Sequence, residues 1–449
     1  MKLDKNTLYL VKTVTDTMGP NGKLTILDYK AEALTTKDGY NTAYNIPNPT
    51  PIFKLLRQAS KQQAQTEGDG TTGVISLATE MVKRCHFKDL KELESVCNDV
   101  KDMLDVDKEE LDQFNCYSNS NYLSDDPLKV RKTNLFNVSM IVTNGDERVA
   151  KPISEAIFHN GPTGHYIVEE TQEPDITYEQ ITGFYLPIGY GDPFFINQTN
   201  GSVVFDHPEF VIKDQITMSE LAVPASKAAQ EHKPLVIIGS ISEDTLNVIK
   251  TNQLKGVGNY LWINTAFIPA QHKADIFVDL EKLASTITKV ETRSNNTIFQ
   301  FKEDKALKSH IKMLKSDAKL NRERIARFES KICKIKVGAN SAAELKQIKD
   351  SVEDCILSTI SAYKNGVVTG AGYALKKAFR EASKNYSFFK KLKYRKIFET
   401  NYNKIGVKYI DPVKVIDSAG VIKSQVTIAF DVAKTILSSE HIVTPKEGK

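Results

Sequence analysis

The sequence contains little of what would indicate secretion, a membrane span or a zinc site. Its five cysteines among 449 residues are odd in number, widely scattered and without a Cys-x-x-Cys pair, so neither a disulfide framework nor a zinc site is indicated. No run reaches the roughly 20 apolar residues that a membrane helix needs, and the N-terminal MKLDKNTLYLVKT lacks the uncharged apolar core of a signal peptide. These absences predict a cytoplasmic protein with no membrane partner.

Positive and negative residues are nearly equal in number, so the formal net charge is only +4. Such a weak excess does not indicate a nucleic-acid partner. One local exception is the stretch 376–396, KKAFREASKNYSFFKKLKYRK, where basic residues alternate with Phe and Tyr. That pattern suits either a grip on single-stranded nucleic acid or a solvated basic helix face that covers aromatic core contacts. We favour the second interpretation and predict no nucleic-acid partner.

The chain is long enough for two or three domains. Helical periodicity dominates both ends. Short β-rich runs occupy the middle, as in GSVVFDHPEFVIK, KPLVIIGS and NYLWINTAFI, and helical patterns separate them. This order predicts a central α/β domain inserted into an outer, mostly helical one.

Residues 68–73 read Gly-Asp-Gly-Thr-Thr-Gly and lead directly into an amphipathic helical pattern. Glycines allow close approach of a ligand, and the first N–H groups of a helix attract anions. Asp69 would repel a bare phosphate unless Mg²⁺ lay between them, so the loop suits a magnesium–nucleotide complex, with Thr71 and Thr72 offering hydroxyls. The alternative is an ordinary glycine-rich turn before a helix.

Five further segments have the composition of turns, caps or exposed carboxylates when each is taken alone. They are TMGPNG (17–22), TKDG (36–39), SVED (351–354), GVVTGAG (366–372) and Asp417 within DPVKVIDSAG. A P-loop enzyme is disfavoured, because no GxxxxGK[ST] occurs and GPNGKL has the wrong spacing.

Taken in order, these segments resemble the ATP site of the group I chaperonins (the GroEL family), whose motifs are TLGPKG, TKDG, GDGTT, VED, GVVxGGG and a late Asp. GFYLPIGYGDPFFIN (183–197), KPLVII and KIKVGANSAAELKQIKDSVED extend the resemblance over nearly the whole chain. The resemblance implies an α+β multidomain chaperonin fold. Its expected parts are a mostly helical equatorial domain (1–124 and 365–449), a small intermediate hinge domain (125–182 and 333–364) and an inserted α/β apical domain (183–332).

The resemblance also implies an ATPase that folds proteins. The expected assembly is a homo-oligomeric ring, with seven subunits by analogy, that binds unfolded polypeptides and releases them in a Mg-ATP cycle. ATP and Mg²⁺ are the implied cofactors, K⁺ is a further candidate ion, and a separate lid-shaped co-chaperonin is allowed. The alternative is a ring-forming holdase or assembly scaffold that no longer cycles.

Site residues follow from the matching motifs. Those implied to bind ATP are Thr17, Met18, Gly19, Pro20, Lys37, Asp69, Gly70, Thr71, Thr72, Gly73, Gly370, Ala371, Val415 and Asp417. Asp354 would be the catalytic carboxylate, orienting or deprotonating the attacking water with help from Asp38. Asp69 would hold Mg²⁺ and Asp417 would accept from the ribose hydroxyls.

The client-binding surface is implied by a second set of matches. Its residues are Tyr190, Phe194, Phe195, Leu221 and Leu246, and Gly183 would be the hinge glycine. Ordinary core packing is the alternative for the three aromatic residues.

Several departures from the family pattern carry their own predictions. Gly73 stands where the family has a third Thr, and Ala371 replaces a Gly, so restoring Thr at 73 is expected to improve phosphate contacts. Lys250 replaces an aliphatic residue of the client groove, as do Thr251, Ala222 and Ala225, which predicts a narrower client set. The segment between Gly372 and Asp417 is about 35 residues shorter than its counterpart. That shortening predicts a single ring or a different pairing of rings, and suits a divergent, virus-encoded member acting in the host cytoplasm.

Overall fold

A computed structural model describes residues 3–29, 32–47, 49–108, 127–302, 305–317, 321–329, 331–407 and 414–442. The chain divides into two compact units. The first contains 1–162, 171–178 and 336–449, and the second contains 163–170 and 179–335. The three-domain boundaries expected from the resemblance stay a prediction.

The first unit is mostly helical. Its helices are α1 (Lys5–Thr15), α2 (Gly39–Asn45), α3 (Pro51–Glu67), α4 (Thr71–Arg84), α5 (Leu90–Asp107), α6 (Pro127–Val142), α7 (Glu147–Asn160), α13 (Ala342–Asn365), α14 (Tyr373–Ala382), α15 (Phe388–Phe398), α16 (Thr400–Ile405) and α17 (Ala419–Ser438). Two antiparallel strand pairs accompany them, namely β1 (Thr25–Tyr29) with β2 (Glu32–Thr36) and β12 (Val367–Thr369) with β13 (Ile416–Ser418).

Helix α17 lies at the centre of this unit and packs on α3, α4 and α5. Ser418 begins the helix, because its side chain accepts hydrogen bonds from the N–H groups of Gly420 and Val421. Buried apolar residues then recur along it from Val421 to Leu437. The core that they join fixes the start of α4, where the glycine-rich loop ends.

The second unit combines two sheets with helices. A six-stranded sheet has the order β3 (His165–Glu170), β11 (Lys331–Val337), β4 (Thr177–Leu186), β10 (Thr297–Phe301), β9 (Ile287–Thr292), β5 (Val203–Asp206). A three-stranded parallel sheet has the order β6 (Glu209–Ile216), β7 (Leu235–Ile241), β8 (Tyr260–Ile263). The helices are α8 (Met218–Gln230), α9 (Glu243–Leu254), α10 (Ala270–Leu283), α11 (Lys305–Ser316) and α12 (Arg322–Glu329).

The parallel sheet explains the apolar runs of the central sequence. Strand β7 is buried from Leu235 to Ile238 because successive side chains point to opposite faces and both faces are covered. Helices α8 and α9 connect its strands, as parallel pairing requires. The predicted α+β multidomain fold is confirmed.

The basic stretch 376–396 lies on α14 and α15, against the acidic face of α5. Lys377 pairs with Asp107 at 3.0 Å and Lys393 pairs with Asp89 at 2.9 Å. Tyr394 is buried in the core of the unit. These contacts support the structural interpretation for Lys377, Lys393 and Tyr394, whereas Phe388 and Phe389 of the same stretch are exposed.

Two further features of the structure concern the cysteines and the length of the apolar helices. The described cysteines, at positions 85, 97, 333 and 355, are buried, and Cys116 lies outside the described residues. Within the part of the chain that the structure describes, no helix combines the length and apolar character needed to cross a bilayer.

Candidate active site

The glycine-rich loop joins two helices through two left-handed residues. Gly68 ends α3 with φ 68°, and Gly70 precedes α4 with φ 79°. Both values lie in the region that residues with a Cβ adopt at a cost. Between them, the Asp69 carboxylate accepts a hydrogen bond from the Gly70 N–H at 2.6 Å. The turn therefore presents Asp69 next to the N-terminal N–H groups of α4, which is an anion-attracting position.

Helix α2 meets this loop at its own N-terminus. Asp38 caps the helix by accepting from the N–H groups of Tyr40 at 3.0 Å and Asn41 at 2.8 Å. A Cβ at Gly39 would lie 1.7 Å from Thr72 Oγ1, so only glycine allows this contact between α2 and α4. The close approach brings Asp38 to the side of the loop.

Helix α13 reaches the loop through Gly68. A Cβ at Gly68 would lie 2.3 Å from the carbonyl oxygen of Asp354. The Asp354 carboxylate is close enough to those of Asp38 and Asp69 for their negative charges to raise its pKa. Three acidic residues from separate motifs are thus brought together within one compact unit.

This concentration of carboxylates changes their acidity. Burial, followed by repulsion from Asp38 and Asp69, raises the pKa of Asp354 to about 9. Burial also raises the pKa values of Asp38 and Asp69. The mutual repulsion of these carboxylates favours binding of a cation at the site.

Mg²⁺ fits this donor set. Among the described residues, no group of three or more His, Cys, Asp or Glu side chains is arranged to hold a metal ion. Magnesium, however, is commonly held by one or two carboxylates together with phosphate oxygens and water. Asp69, at the start of α4, is the carboxylate placed to share such an ion with a phosphate.

The part of the site that is predicted to bind the ribose lies where β12 and β13 pair. A Cβ at Gly370 would lie 2.9 Å from Asp417 Oδ1, and the Ala371 N–H donates to the Asp417 carboxylate. The Gly370 N–H donates to the Val415 carbonyl at 2.8 Å. Burial, followed by the charge of Asp69, raises the pKa of Asp417 to about 7.

Ala371 carries backbone strain that the family glycine would avoid. Its φ of 54° lies in the left-handed region, where an L-residue with a Cβ costs about 1–2 kcal/mol. The turn retains this conformation because the N–H of Ala371 is used by Asp417.

The turn at residues 17–20 departs in part from expectation. Thr17 is buried, and its hydroxyl donates to the Val14 carbonyl at 2.8 Å, so its proton is used at the end of α1 in this structure. Its contact with a phosphate stays a prediction. The Met18 N–H donates to the Thr15 carbonyl at 3.2 Å. Lys37 Nζ donates to the Pro20 carbonyl at 3.1 Å, which gives the lysine a role in fixing the turn.

The turn also has a left-handed glycine, Gly19, with φ 78°. A Cβ there would lie 3.0 Å from Ile405 Cγ2, at the end of α16. Helix α16, which no motif marked in the sequence, therefore contacts this part of the predicted nucleotide site.

Sequence reasoning also missed three carboxamide side chains and one acid. Gln63, Asn401 and Gln425 donate to carbonyl oxygens of residues 69–73. Asp350 lies one turn before Asp354 on α13, and its charge raises the pKa of Asp354. The i, i+4 spacing of the two acids was a usable signal, whereas the amides belong to no motif.

The predicted client residues are divided between core and surface. Phe195 and Leu221 are each only 1% exposed, so both are core residues here and the expectation that they contact clients does not hold for this conformation. Tyr190, Phe194 and Leu246 are partly buried against the same core. Aromatic and aliphatic side chains of this size are normally recruited to the core.

Other apolar side chains provide exposed surface on the same unit. They are Met218, Val223, Val248, Leu254 and Phe267. A cavity of about 370 Å³ lies between the first turns of α8 and α9, with Met218 and Val248 in its lining. These residues, rather than Phe195 and Leu221, are available to a partner.

Gly183 does not lie in a loop. It is within strand β4, where it pairs with Gln300 of β10, and a Cβ would lie 2.6 Å from the Phe299 carbonyl oxygen. The glycine is explained by this close approach between strands, and its role as a hinge stays a prediction.

Comparisons with known proteins agree with this fold. The sequence model of the TCP-1/cpn60 chaperonin family matches residues 10–172. Two crystal structures of the chaperonin gp146 from bacteriophage EL 2 (Pseudomonas aeruginosa), both in the presence of ATP-BeFx, are similar over 98% of this chain and 97% of theirs. Their TM-scores are 0.68 and 0.67, each at 18% sequence identity.

The fold is therefore that of a chaperonin. The family match covers the segment that carries α1 to α7 and the glycine-rich loop, and the structural similarity extends the likeness in fold to nearly the whole chain.

The raised pKa values predict that the ligand-free protein loses stability as the pH rises from 6 to 9. In this range the folded state keeps a proton on Asp354, whose pKa is about 9, while the unfolded chain has lost it from a group of ordinary pKa 3.8. This contribution to stability is complete below pH 4 and is lost as the pH rises through 9. Thermal unfolding at several pH values should show a falling midpoint, and Asp354→Asn should flatten the slope. A midpoint that rises with pH in both proteins would contradict the assignment.

Proposed function

We propose that this protein is a chaperonin ATPase that binds unfolded polypeptides and releases them in a Mg-ATP hydrolysis cycle. The convergence of Asp38, Asp69 and Asp354 at the start of α4 is the observation that carries the proposal. A scaffold that never hydrolysed nucleotide would gain nothing from three neighbouring carboxylates with raised pKa values, because their repulsion destabilises the folded state.

Each residue has a definite task in this proposal. The first N–H groups of α4 bind phosphate oxygens, and Asp69 holds Mg²⁺, which neutralises phosphate charge when it is bound. Asp354 orients the attacking water and, once its own proton has been lost, accepts a proton from it, and Asp38 assists. Asp417 accepts hydrogen bonds from the ribose hydroxyls.

The proposed assembly is a homo-oligomeric ring, with seven subunits by analogy, acting in the cytoplasm or in the cytoplasm of a host cell. We further propose a single ring, because the segment between Gly372 and Asp417 is short. K⁺ as an additional ion and a separate co-chaperonin lid remain part of the proposal. Negative-stain imaging and analytical ultracentrifugation test the assembly, and a stable back-to-back double ring would refute the single-ring form.

A non-cycling holdase is the second candidate, favoured by one observation. The aromatic segment around Phe194 is partly buried and tied down by Lys250, so the client surface is smaller than the family pattern implies. Phosphate release from ATP by the purified full chain decides between the two. Hydrolysis that requires Mg²⁺ and stops on chelation supports the ATPase, and a complete lack of hydrolysis by the assembled ring supports the holdase.

Lys250 explains how this chain reduces its client surface. Its ammonium group pairs with the Asp192 carboxylate and lies 5.6 Å from the centre of the Phe194 ring. Asp192 in turn accepts from the Phe194 N–H at 2.8 Å. A cation–π contact contributes about 0.5–1 kcal/mol at such a site, so Phe194 is held under a charged side chain.

Lys250→Val is therefore expected to increase capture of a chemically denatured client severalfold, because it frees Phe194 and adds apolar surface. Co-elution of labelled client in gel filtration measures the effect. Lys255→Val is the matched control, since Lys255 is exposed and lies at the end of the same helix. Equal gains from both substitutions would show that added apolar area alone is responsible.

A further inference from the structure

The carbonyl oxygens of the glycine-rich loop are tied to three helices by carboxamide side chains. The contacts run from Gln63 Nε2 of α3 to the Asp69 oxygen at 2.9 Å, from Gln425 Nε2 of α17 to the Gly70 oxygen at 3.2 Å, and from Asn401 Nδ2 of α16 to the Gly73 oxygen at 3.4 Å. A carbonyl oxygen can only accept a hydrogen bond, so each side chain must present its amide nitrogen to the loop.

All three carboxamides are deeply buried. The exposed fractions are 0% for Gln63, 4% for Asn401 and 6% for Gln425. Among the described residues, neither Gln63 Oε1 nor Asn401 Oδ1 has a hydrogen-bond partner. Burying an amide with an unsatisfied oxygen is costly, so packing alone does not account for these residues.

The same side chains explain the irregular glycine of the loop. A Cβ at Gly73 would lie 2.8 Å from Gln425 Nε2 and 3.0 Å from Asn401 Nδ2. Gln425 also restricts position 70, where a Cβ would lie 2.1 Å from its Nε2. The space that a threonine would occupy at 73 is therefore already filled by the two amides.

We propose that Gln63, Asn401 and Gln425 are positioning residues that form a carboxamide clamp on the phosphate-binding loop, and that Gly73 is the glycine that the clamp requires. This inference rests on the proposed nucleotide-binding function. With their carbonyl oxygens held from the protein side, the loop residues keep their N–H groups directed towards the phosphates. The clamp predicts the opposite of the expectation that Thr at position 73 would improve phosphate contacts.

The first test is a double-mutant cycle on Gly73 and Gln425. Gly73→Thr is expected to lower the unfolding midpoint and to weaken Mg-ATP binding about tenfold. In the Gln425→Ala background, which removes the crowding amide, the added effect of Gly73→Thr should be clearly smaller. Tighter Mg-ATP binding by Gly73→Thr, or strictly additive effects in the cycle, would overturn the proposal.

The second test separates positioning from packing. Gln63→Met keeps the length of the side chain and removes the donor, and Gln62→Met is the matched control on the exposed face of α3. Isothermal titration with ATP and with adenosine gives two dissociation constants. The clamp predicts that Gln63→Met weakens ATP binding about tenfold and leaves adenosine binding unchanged, because only ATP contacts the loop through phosphates.

The outcomes distinguish this inference from the proposed function. A wild-type chain that binds no nucleotide would refute the function, while the cycle measured through unfolding midpoints would still test the clamp. Equal losses for ATP and adenosine in Gln63→Met would show a purely structural role and reject the clamp.

Discussion

Asp354→Asn is expected to reduce the rate of ATP hydrolysis by about 10²–10⁴-fold while leaving nucleotide bound. The side chain keeps its shape but loses the ability to accept a proton from water. The amide is neutral, as is the protonated Asp354 of the ligand-free protein, so binding of a phosphate group should not weaken. The hydrolysis rate at saturating Mg-ATP and a separate titration with nucleotide measure the two effects.

Asp102→Asn is the matched control for Asp354→Asn. Asp102 is exposed on α5, so its amide variant should retain the wild-type rate within about twofold, as surface substitutions usually do. A wild-type hydrolysis rate in Asp354→Asn would show that another group activates the water.

Gly68→Ala is expected to cause the largest structural loss among single substitutions in the site. The left-handed φ of 68° costs about 1–2 kcal/mol for alanine, and overpacking against the Asp354 carbonyl, only 2.3 Å from the new Cβ, costs about 1–3 kcal/mol. Relief of the clash requires α13 to move, and a displacement of 1 Å at a catalytic group can cost about 10²-fold in rate. Thermal unfolding and ATP hydrolysis should therefore fall together.

Gly145→Ala is the control that separates the cost of the left-handed backbone from the cost of the clash with a neighbouring atom. Gly145 has φ 87°, and a Cβ there would meet no atom within 4 Å. Its substitution should show the backbone cost alone, with a smaller drop in the unfolding midpoint and normal hydrolysis. If Gly68→Ala behaves like Gly145→Ala, the contact between the loop and α13 does not position Asp354.

The glycine-rich loop and the class of fold could be predicted because they depend on residues that lie close together in the sequence. Glycines on both sides of Asp69, followed by an amphipathic pattern, predict a turn into a helix, and the structure begins α4 at Thr71. The apolar run of β7 likewise predicts a strand covered on both faces. Such features depend on neighbours in the chain, so a local pattern is sufficient to find them.

Burial was harder to predict from sequence. Phe195 and Phe194 are adjacent and chemically identical, yet the first is in the core and the second lies partly exposed beneath Lys250. Which side of a short segment faces the core depends on the elements packed against it. For the same reason, Gly183 was read as a hinge although it lies within a strand.

By itself, the sequence determined the order of the acidic and glycine-rich motifs, the placement of Asp69 between two glycines, and the class of fold. The tertiary structure alone decided that Asp354 meets the loop through the backbone at Gly68, and that Gln425, 355 residues from Gly70, fills the space beside Gly73. The physical reason is distance along the chain. Turns and helix ends follow from adjacent residues, whereas contacts between helices follow from how closely two backbones approach, which no local pattern specifies.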